Sequence, residues 1–240
     1  MKIALAGYGK MGKAIENLAL EQGHEIVLKI QSANSYEMDI PHLQLADVCI
    51  EFSSPSFAVK NILTCFDAGV PVVCGTTGWL ADWQKVVDAC QAKQGTLLYA
   101  SNFSIGVNLF FQLNTYLAKL MQPRKEYHPA MVEIHHLQKK DAPSGTAITL
   151  AEGILEQNTH LKKWVNQEST DPSELAIISK REPDVTGIHE ISYLSTQDKI
   201  TICHEAFNRQ GFAAGALLAA GFLQNKKGLF SMSDALNQPL

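Results

Sequence analysis

A glycine-rich turn directly behind an N-terminal apolar segment constrains the fold of this chain more than any other feature. Residues 3–6 read Ile-Ala-Leu-Ala, as a short buried strand does, and Gly7-x-Gly9-x-x-Gly12 follows at once. In a dinucleotide-binding turn the first glycine permits the tight turn, the second admits the pyrophosphate and the third lets the helix pack on the strand. A plain glycine-rich turn is the alternative. The residues predicted to contact a nucleotide here are Gly7, Gly9, Lys10, Met11 and Gly12.

The first hundred residues alternate short apolar runs with segments of helical periodicity. Predicted strands cover residues 3–6, 25–30, 48–52, 70–74 and 96–100, and predicted helices cover 13–22, 57–68 and 79–93. Strands that alternate with helices at this spacing indicate a parallel sheet with helices on both faces. The first part of the chain is therefore predicted to be α/β and Rossmann-like.

Beyond residue 102 the pattern changes to two helical stretches and a series of extended segments. Helices are predicted for 107–121 and 146–156, and extended segments for 131–137, 175–179, 188–195 and 199–206. Consecutive strands late in a chain indicate an antiparallel or mixed sheet, and hence a second, α+β domain. The polar stretch 158–173 is predicted to be irregular, and a small-residue helix begins at Gly211.

Two loops follow predicted parallel strands at their carboxyl ends, where open α/β sheets bind ligands. They are Gly75-Thr76-Thr77-Gly78 and Ser101-Asn102-Phe103-Ser104. Small hydroxyl residues there allow a nicotinamide ribose or carboxamide to approach closely. Ordinary strand-to-helix turns with N-caps at Thr76 or Ser104 are the alternative. The residues predicted to contact the cofactor in these loops are Gly75, Thr76, Thr77, Ser101, Asn102 and Phe103.

The choice between NADH and NADPH depends on the end of the second predicted strand. An acidic residue usually binds the adenosine ribose there, but this chain reads Lys29-Ile30-Gln31-Ser32. Gln31 can hydrogen-bond a ribose hydroxyl and carries no charge that would repel a 2′-phosphate, and Lys10 or Lys29 could pair with one. The predicted cofactor is therefore NADPH or NADH, with Gln31 as a contact.

Composition excludes several other classes of protein. The 20 basic and 24 acidic residues nearly balance, which gives no general attraction to nucleic acid or to an anionic membrane. Five scattered cysteines without a Cys-x-x-Cys pair favour a reduced protein over a disulfide or zinc framework. No signal peptide precedes the glycines, and the apolar run 212–223 is shorter than the ~20 residues of a membrane span. We therefore expect a cytoplasmic protein.

The segment from Glu133 to Ala147 combines two imidazoles, two ammonium groups and a turn that leads into a helix. Backbone N–H groups at such a helix start bind carboxylates, and lysine or histidine can supply a proton. The adjacent residues His135 and His136 point to opposite sides of an extended segment, and no further Cys or His completes a metal site, so no metal is predicted. An N-capped helix behind a solvated basic loop is the alternative.

The same segment resembles the signature of the 4-hydroxy-tetrahydrodipicolinate reductase family, also called dihydrodipicolinate reductases, of the diaminopimelate route to lysine. The string His-His-x-x-Lys-x-Asp-Ala-Pro-Ser-Gly-Thr-Ala, which begins at His135, carries the resemblance. Further similarities, in chain order, are the glycine turn, the loop 75–78, the stretch 101–108, and Arg209 with residues 212–215. The resemblance covers nearly the full length of the chain.

The resemblance implies a role for each residue of the string. His135 would donate or accept a proton, and Lys139 would be the other proton donor. The chain departs from the family in lacking an acid near Gln31, in its short length and at Leu137-Gln138, where members often carry Arg or His. The predicted dicarboxylate ligands are His136, Ser144, Gly145 and Thr146, and Arg209 joins the predicted cofactor contacts.

The resemblance also implies the domain organisation and the activity. A Rossmann-type nucleotide domain, residues 1–104 and 210–240, would contain an inserted α+β substrate domain, residues 105–209, built on a mixed sheet that joins a homotetramer. The predicted function is NAD(P)H-dependent reduction of 4-hydroxy-tetrahydrodipicolinate, a small cyclic dicarboxylate, to tetrahydrodipicolinate. The alternatives are a related Rossmann-type dehydrogenase for another amino or keto diacid and a regulator that binds NAD(H) without catalysis.

Overall fold

A computed structural model of the protein describes residues 1–31, 38–208 and 210–237. The chain forms two compact units, one built from Met1–Ile105 with the C-terminal segment and the other from Gly106–Asn208. The predicted cofactor contact Arg209 lies outside the described residues. Within those residues, no helix combines the length and the apolar character that crossing a membrane requires.

Helices and strands alternate through the first hundred residues, whereas strands predominate between residues 163 and 206. The strands are β1 (Lys2–Ala6), β2 (Glu25–Ile30), β3 (Val48–Glu51), β4 (Val72–Cys74), β5 (Thr96–Tyr99), β6 (His128–His135), β7 (Lys163–Val165), β8 (Glu174–Arg181), β9 (Gly187–Leu194), β10 (Lys199–Ala206) and β11 (Gly228–Phe230). The helices are α1 (Lys10–Glu21), α2 (Ile40–Leu43), α3 (Pro55–Ala68), α4 (Trp83–Ala92), α5 (Ile105–Met121), α6 (Gly145–Gln157), α7 (Gln210–Phe222) and α8 (Met232–Leu236).

The first unit contains a parallel six-stranded sheet in the order β11-β5-β4-β3-β1-β2. The chain moves outward from β1 to β2 and then returns to β3 on the other side of β1. This reversal is a topological switch point, and open α/β sheets bind ligands outside the carboxyl ends of the strands at such a point. The sheet order therefore marks where a ligand of this unit is expected.

Two apolar clusters cover the opposite faces of this sheet, because alternate residues of each strand point to opposite sides. In β1, Ile3 and Leu5 pack with residues of α1 and α7, whereas Ala4 and Ala6 pack with residues of α3 and α4. Helix α7 makes a close approach at Gly215, where an added Cβ would lie 1.7 Å from the carbonyl oxygen of Phe103. The C-terminal helix is therefore part of the core of the first unit.

The second unit is built on a mixed sheet in the order β10-β9-β6-β8-β7. Strand β9 runs antiparallel to both β10 and β6, whereas β8 runs parallel to β6 and β7. Helices α5 and α6 bury one face of this sheet through residues such as Met131, Ile177 and Ile191. The predicted fold class, a Rossmann-like parallel-sheet unit with a second unit on a mixed sheet, is confirmed.

One predicted irregular stretch contains a strand. The prediction for residues 158–173 is wrong, because β7 adds an edge strand beside β8. The register partners Lys163 and Glu174 form an ion pair across these strands, with 2.9 Å between Nζ and Oε1. A three-residue strand among polar neighbours has too short a pattern to recognise, so its place is set by pairing with β8.

Candidate active site

A pocket of about 370 Å³ lies in the first unit, outside the carboxyl ends of β1, β2 and β3. It therefore lies at the switch point of the parallel sheet. The predicted cofactor residues Gly7, Gly9 and Gln31 line it. The polar lining residues that the sequence prediction did not include are Tyr8, Ser53, Ser54, Lys60 and Asn61.

The glycine turn has the close contacts that a dinucleotide turn requires. Gly7 has a φ of +100°, and an added Cβ would lie 2.1 Å from the carbonyl oxygen of Phe52. An added Cβ at Gly12 would lie 2.3 Å from the carbonyl oxygen of Gly7, so this glycine lets α1 pack on the turn. The first turn of α1, residues Lys10 to Gly12, begins behind Gly9, and its backbone N–H groups form a site for an anion.

Glu16 engages one of the two lysines considered for a 2′-phosphate. Its carboxylate accepts a hydrogen bond from the Tyr8 hydroxyl and pairs with Lys29, with 2.5 Å between Nζ and Oε1. These hydrogen bonds, first that of Lys29 and then that of Tyr8, hold the pKa of Glu16 below its usual range. Lys29 is thus paired inside the unit, whereas Lys60 lines the pocket.

The predicted cofactor loops support the pocket through buried side chains. Thr76 is buried, and its hydroxyl oxygen accepts a hydrogen bond from the backbone N–H of Ser53 at 2.9 Å. The Phe103 ring is 1% exposed and packs edge-on against Phe52, with 5.4 Å between the ring centres. Thr76 therefore positions a lining residue, and Phe103 can meet a cofactor only through its backbone. The other predicted contacts in these loops stay predictions.

A buried glutamate organises the polar wall of the pocket. Glu51, the last residue of β3, is fully buried, and its Oε1 accepts hydrogen bonds from the Ser53 N–H at 3.2 Å and the Asn61 amide at 3.3 Å. The Ser53 hydroxyl donates to the same oxygen, and the Cys74 thiol donates to Oε2 at 3.3 Å. The sequence prediction missed Glu51, although a charged residue at the end of an apolar strand was its signal.

In the second unit, the end of β6 and the start of α6 bring most of the predicted catalytic segment together. Burial alternates along β6 so that Glu133 and His135 share the buried face, and His136 follows in a half-buried position. The loop that follows carries Lys139, contains a cis peptide bond between Ala142 and Pro143, and returns the chain to Ser144. The predicted proton-transfer and carboxylate-binding residues are therefore neighbours.

Ser144 is the N-cap of α6, and both its hydroxyl and its backbone N–H have polar neighbours. Its hydroxyl oxygen accepts the Ala147 N–H at 3.1 Å and lies 3.1 Å from Nε2 of His189. Its own N–H lies 3.1 Å from both carboxylate oxygens of Glu133. Ser144 is 3% exposed, whereas Gly145 is exposed. Ser144 thus supports the helix start from inside the unit, and its role as a direct ligand stays a prediction.

Glu133 lies at the centre of this network. The carboxylate is fully buried and accepts a further hydrogen bond from the Ser179 hydroxyl at 2.7 Å. Three groups that can carry positive charge surround it: Nδ1 of His135 at 3.6 Å, Nε2 of His189 at 3.7 Å and a guanidinium nitrogen of Arg181 at 3.7 Å. Sheet pairing brings them together, because Glu133 is the register partner of His189 and His135 that of Arg181.

Burial controls the protonation of the two imidazoles. It lowers the pKa of His135, against the opposing charge of Glu133, and it lowers the pKa of His189 to about 4. Burial alone would raise the pKa of Glu133, but the hydrogen bonds from Ser144 and Ser179 outweigh it, so this pKa is lowered. At neutral pH the site therefore combines an ionised carboxylate with two neutral imidazoles.

The loop that carries Lys139 is held at two points. The Lys139 ammonium pairs with Asp141, with 2.8 Å between Nζ and Oδ2, and this pairing lowers the pKa of Asp141. The Arg181 guanidinium donates to the carbonyl oxygens of Lys139 at 3.3 Å and Asp141 at 2.6 Å. Arg181 thus fixes the backbone from which the predicted proton donor extends.

Glu133, His135 and His189 also offer potential metal-ligand atoms within 4.8 Å of one another. The prediction of no metal rested on the lack of a further ligand near His135, and His189 of β9 is such a residue. The carboxylate, however, is held by the hydrogen bonds from Ser144 and Ser179, which account for it without a cation. We assign no metal to this group.

The sequence prediction missed Glu133, Arg181 and His189. Glu133 had a usable signal, since it lies two residues before His135 in an extended segment and therefore on the same face. Arg181 and His189 had none, because they belong to β8 and β9 and reach the site only through sheet register.

The two sites define the class of the protein. One chain combines a parallel-sheet unit, with a glycine turn and a pocket at its switch point, and a second unit in which groups able to transfer protons precede a helix start. This combination is typical of nicotinamide-dependent oxidoreductases. Residues 1–103 match the family described as the N-terminus of dihydrodipicolinate reductase, and residues 106–236 match its C-terminus. The chain belongs to the dihydrodipicolinate reductase family and is an enzyme.

Relatives match the chain over almost its whole length. The 4-hydroxy-tetrahydrodipicolinate reductase of Christiangramia forsetii is 50% identical, covering 99% of this chain and 98% of that protein. The enzyme of the same name from Alkaliphilus oremlandii is 34% identical, covering 95% of each chain. The predicted family resemblance is therefore confirmed.

Solved structures share the fold. A dipicolinate-bound dihydrodipicolinate reductase from Paenisporosarcina has a TM-score of 0.75 at 22% identity, covering 96% of this chain and 97% of that one. A dehydrogenase from Clostridium difficile has a TM-score of 0.57 at 11% identity, covering 98% of this chain and 96% of that one. At such identities these likenesses establish the fold alone.

Proposed function

We propose that the protein reduces 4-hydroxy-tetrahydrodipicolinate to tetrahydrodipicolinate with NADPH or NADH, in the diaminopimelate route of lysine biosynthesis. The observation that carries the proposal is the Glu133 carboxylate of the second unit, whose Oε2 lies 3.1 Å from the Ser144 N–H at the start of α6 and 3.6 Å from Nδ1 of His135. The names of the relatives supply the substrate. The arrangement supplies a carboxylate-binding helix start and two groups that can transfer protons.

The residues of the first unit fit a nicotinamide dinucleotide, which when bound would supply the hydride. The hydride adds to ring carbon C4 once the C4 hydroxyl has left as water with a proton from the neighbouring ring carbon. The first turn of α1 offers N–H groups to the pyrophosphate, and Gly7 leaves room for its approach. Gln31 can bond the adenosine ribose. Among the described residues of the pocket wall there is the cation Lys60 and no carboxylate. Since the described residues that line the pocket include a cation and no acid, we expect both cofactors to be used with modest discrimination.

The second unit binds the two carboxylates of the substrate. The N–H groups of Gly145 and Thr146 lie in the first turn of α6, where the helix dipole favours an anion. Lys139 adds a positive charge. Its ammonium pairs with Asp141, and a substrate carboxylate would compete with Asp141 for this ion pair. His136 contacts a carboxylate from the other side of the segment. These groups fix the ring so that its reacting carbons face the proton donors.

His135 and Lys139 handle the protons. A proton must then return to the ring carbon adjacent to C4 as the hydride adds. The Lys139 ammonium can deliver it directly, and His135, whose imidazole is neutral at neutral pH, can deliver it after taking up a proton. The ammonium of Lys139 also stabilises negative charge that develops as the carbon–nitrogen system is reduced. The two residues thus divide proton donation and charge stabilisation between them.

We further propose that the protein is a cytoplasmic homotetramer joined through the sheet of the second unit. Large apolar side chains of this unit are exposed, among them Leu194 at 54%, Ile200 at 40% and Phe207 at 82%. Exposed apolar groups of this size favour association. Light scattering coupled to gel filtration tests this point, and a monomer at micromolar concentration would contradict it.

The activity is tested by supplying the substrate from a coupled synthase and following NADPH and NADH oxidation at the absorbance of the reduced nicotinamide. We expect the wild-type protein to oxidise both cofactors and His135→Ala to do so at least about 100-fold more slowly, the usual contribution of an acid–base group. Fluorescence of bound NADH is the control for cofactor binding. Bound NADH that is never oxidised would refute the enzyme and leave a binding protein.

A further inference from the structure

We propose that Glu133 is a positioning residue that holds the proton of His135 on Nδ1 and so makes Nε2 the reactive nitrogen. The inference rests on the proposed function, in which His135 transfers a proton. Three observations carry it: the anchoring of the carboxylate, the atom that faces its second oxygen, and the space beside Nε2.

The Glu133 carboxylate is anchored by donors from two different elements. The Ser179 hydroxyl on β8 donates to Oε1 at 2.7 Å, and the Ser144 N–H before α6 lies 3.1 Å from each oxygen. The side chain is fully buried, so solvent offers it no alternative partners. A carboxylate fixed in this way has its Oε2 near two imidazole nitrogens, Nδ1 of His135 at 3.6 Å and Nε2 of His189 at 3.7 Å, and the second of these already lies 3.1 Å from the Ser144 hydroxyl oxygen.

The imidazole nitrogen left for Oε2 to engage is Nδ1 of His135. Oε2 of Glu133 lies 3.6 Å from Nδ1 of His135, and within the described part of the chain Nδ1 has no hydrogen-bond partner. An ionised carboxylate only accepts hydrogen bonds, so the imidazole is stabilised when its proton lies on Nδ1. The separation exceeds a hydrogen bond, and catalytic contacts of this kind commonly shorten when the substrate binds.

The opposite edge of the ring faces a glycine. An added Cβ at Gly187 would lie 3.1 Å from Nε2 of His135 and 3.3 Å from Cδ2. The backbone does not call for glycine here, because Gly187 is not among the glycines with positive φ. The missing side chain therefore leaves space next to Nε2, which is what a nitrogen that exchanges protons with a substrate needs.

The charge of Glu133 also acts on the proton affinity of His135. The charged and titratable groups around His135 come from its own strand, from the following loop and from the two neighbouring strands. Burial lowers its pKa, Glu133 and Asp141 raise it, and the cations lower it. Removal of the Glu133 charge is therefore expected to lower this pKa further. The groups involved are Glu133, Lys139, Asp141, Arg181 and His189.

The kinetic test measures kcat and KM of Glu133→Gln against pH, beside two matched controls. We expect kcat to fall at least about 100-fold and the limb of the pH profile that reports His135 to move to lower pH. Ser179→Ala removes one hydrogen bond from the same carboxylate and keeps its charge, so the limb stays in place. Glu190→Gln removes a charge from the neighbouring position on β9 and changes neither quantity appreciably.

A purely structural role gives a different result. If Glu133→Gln raises KM while the limb keeps its wild-type position, Glu133 only shapes the Ser144 turn and the proposal is wrong. If Glu133→Gln does not fold, Gly187→Ala provides the test. This substitution leaves the hydrogen bonds of the Glu133 carboxylate intact and fills the space beside Nε2 of His135. We expect it to lower kcat with an unchanged KM for NADPH, and wild-type kcat would overturn the assignment of Nε2.

Nitrogen-15 NMR of labelled histidine keeps this proposal separate from the proposed function. We expect His135 of the wild-type protein to show the chemical shifts of the tautomer protonated on Nδ1, and Glu133→Gln to lose that preference. Shifts of the tautomer protonated on Nε2 in the wild type would refute the role of Glu133 even in an active enzyme. Absence of turnover with the expected tautomer would refute only the proposed function.

Discussion

Among the residues that the structure describes, each unit fully buries one glutamate near the carboxyl end of a strand, and the surroundings of the two differ. Glu51 accepts hydrogen bonds from Ser53, Asn61 and the Cys74 thiol, whose pKa is raised by burial and by the Glu51 charge. Glu133 accepts from serines and also faces two imidazoles and a guanidinium. Glu51, whose hydrogen-bond donors are neutral, holds a loop in place. Glu133, which lies among titratable groups, also influences the pKa values of those groups.

The largest effect is expected in the second unit, which carries the residues proposed to transfer protons. Lys139→Ala is expected to lower kcat between about 100-fold and 10,000-fold, because a proton donor and a positive charge near the substrate are both lost. The KM for NADPH is expected to stay near the wild-type value. Steady-state kinetics with Lys140→Ala, the exposed neighbour, as control decides the matter. Comparable losses in both variants would mean that only the general charge of the loop counts.

The first unit is expected to be most sensitive at its glycine turn. Gly7→Ala places a Cβ 2.1 Å from a carbonyl oxygen at a φ of +100°, and strain with overpacking costs about 4 kcal/mol of unfolding free energy. Cofactor affinity is expected to fall as well. Urea unfolding and NADPH titration measure the two effects. Gly221→Ala is the control, since a Cβ there meets no described atom within 4 Å. If both variants lose the same unfolding free energy and the same NADPH affinity, the close contacts of Gly7 are not the cause.

Acid is expected to destabilise the protein through the imidazoles of the second unit. The pKa of His189 is about 4 in the folded state against 6.5 when unfolded, so the unfolded chain binds more protons between these values. The resulting stability, up to about 3 kcal/mol, is present above pH 6.5 and is lost as the pH falls towards 4. His189→Gln is expected to flatten the dependence of the unfolding free energy on pH in this window. The exposed His160→Gln is the control, and a slope in His189→Gln as steep as in the wild type would contradict the assignment.

The smallest effect is expected at Glu51, whose described neighbours, unlike those of Glu133, include no imidazole. Glu51→Gln exchanges one accepting oxygen for an amide, which disturbs the hydrogen bonds that hold Ser53 and costs about 1 kcal/mol in cofactor binding. The KM for NADPH is expected to rise by about three- to tenfold, with no displacement of the kcat profile along the pH axis. Kinetics at several pH values measure both quantities. A displaced profile would show that the first unit also tunes proton transfer.

The fold was predictable where short-range patterns determine it. Strands β2 and β10 occur where their apolar patterns predicted them, and Gly69 ends α3 with a φ of +71°. Helix α1 begins three residues earlier than predicted, since Lys10 to Gly12 continue directly from the glycine turn and offer no polar cap to recognise. Strand β7 escaped prediction because a neighbouring strand, and not its own sequence, stabilises it.

The candidate site was predictable to the extent that one segment contains it. His135, Lys139 and Ser144 lie within ten positions of one another, and their chemistry could be read together. Arg181 and His189 lie on other strands and reach Glu133 only through the register of the mixed sheet. Their surroundings depend on burial, which no local pattern reports. The long-range half of the site therefore required the structure.

The pairing of β11 with β5 has a consequence for how the protein is made. Gly228 is the register partner of Thr96, and the Thr96 hydroxyl donates to the carbonyl oxygen of Lys226, 130 positions further along the chain. On the ribosome, β5 therefore emerges long before the strand and the helix α7 that complete its surroundings. We expect the second unit, which is complete by residue 208, to fold first, while β5 keeps an unpaired edge until residues 210–230 have been translated. The unit whose synthesis starts first is therefore expected to be the one that folds last.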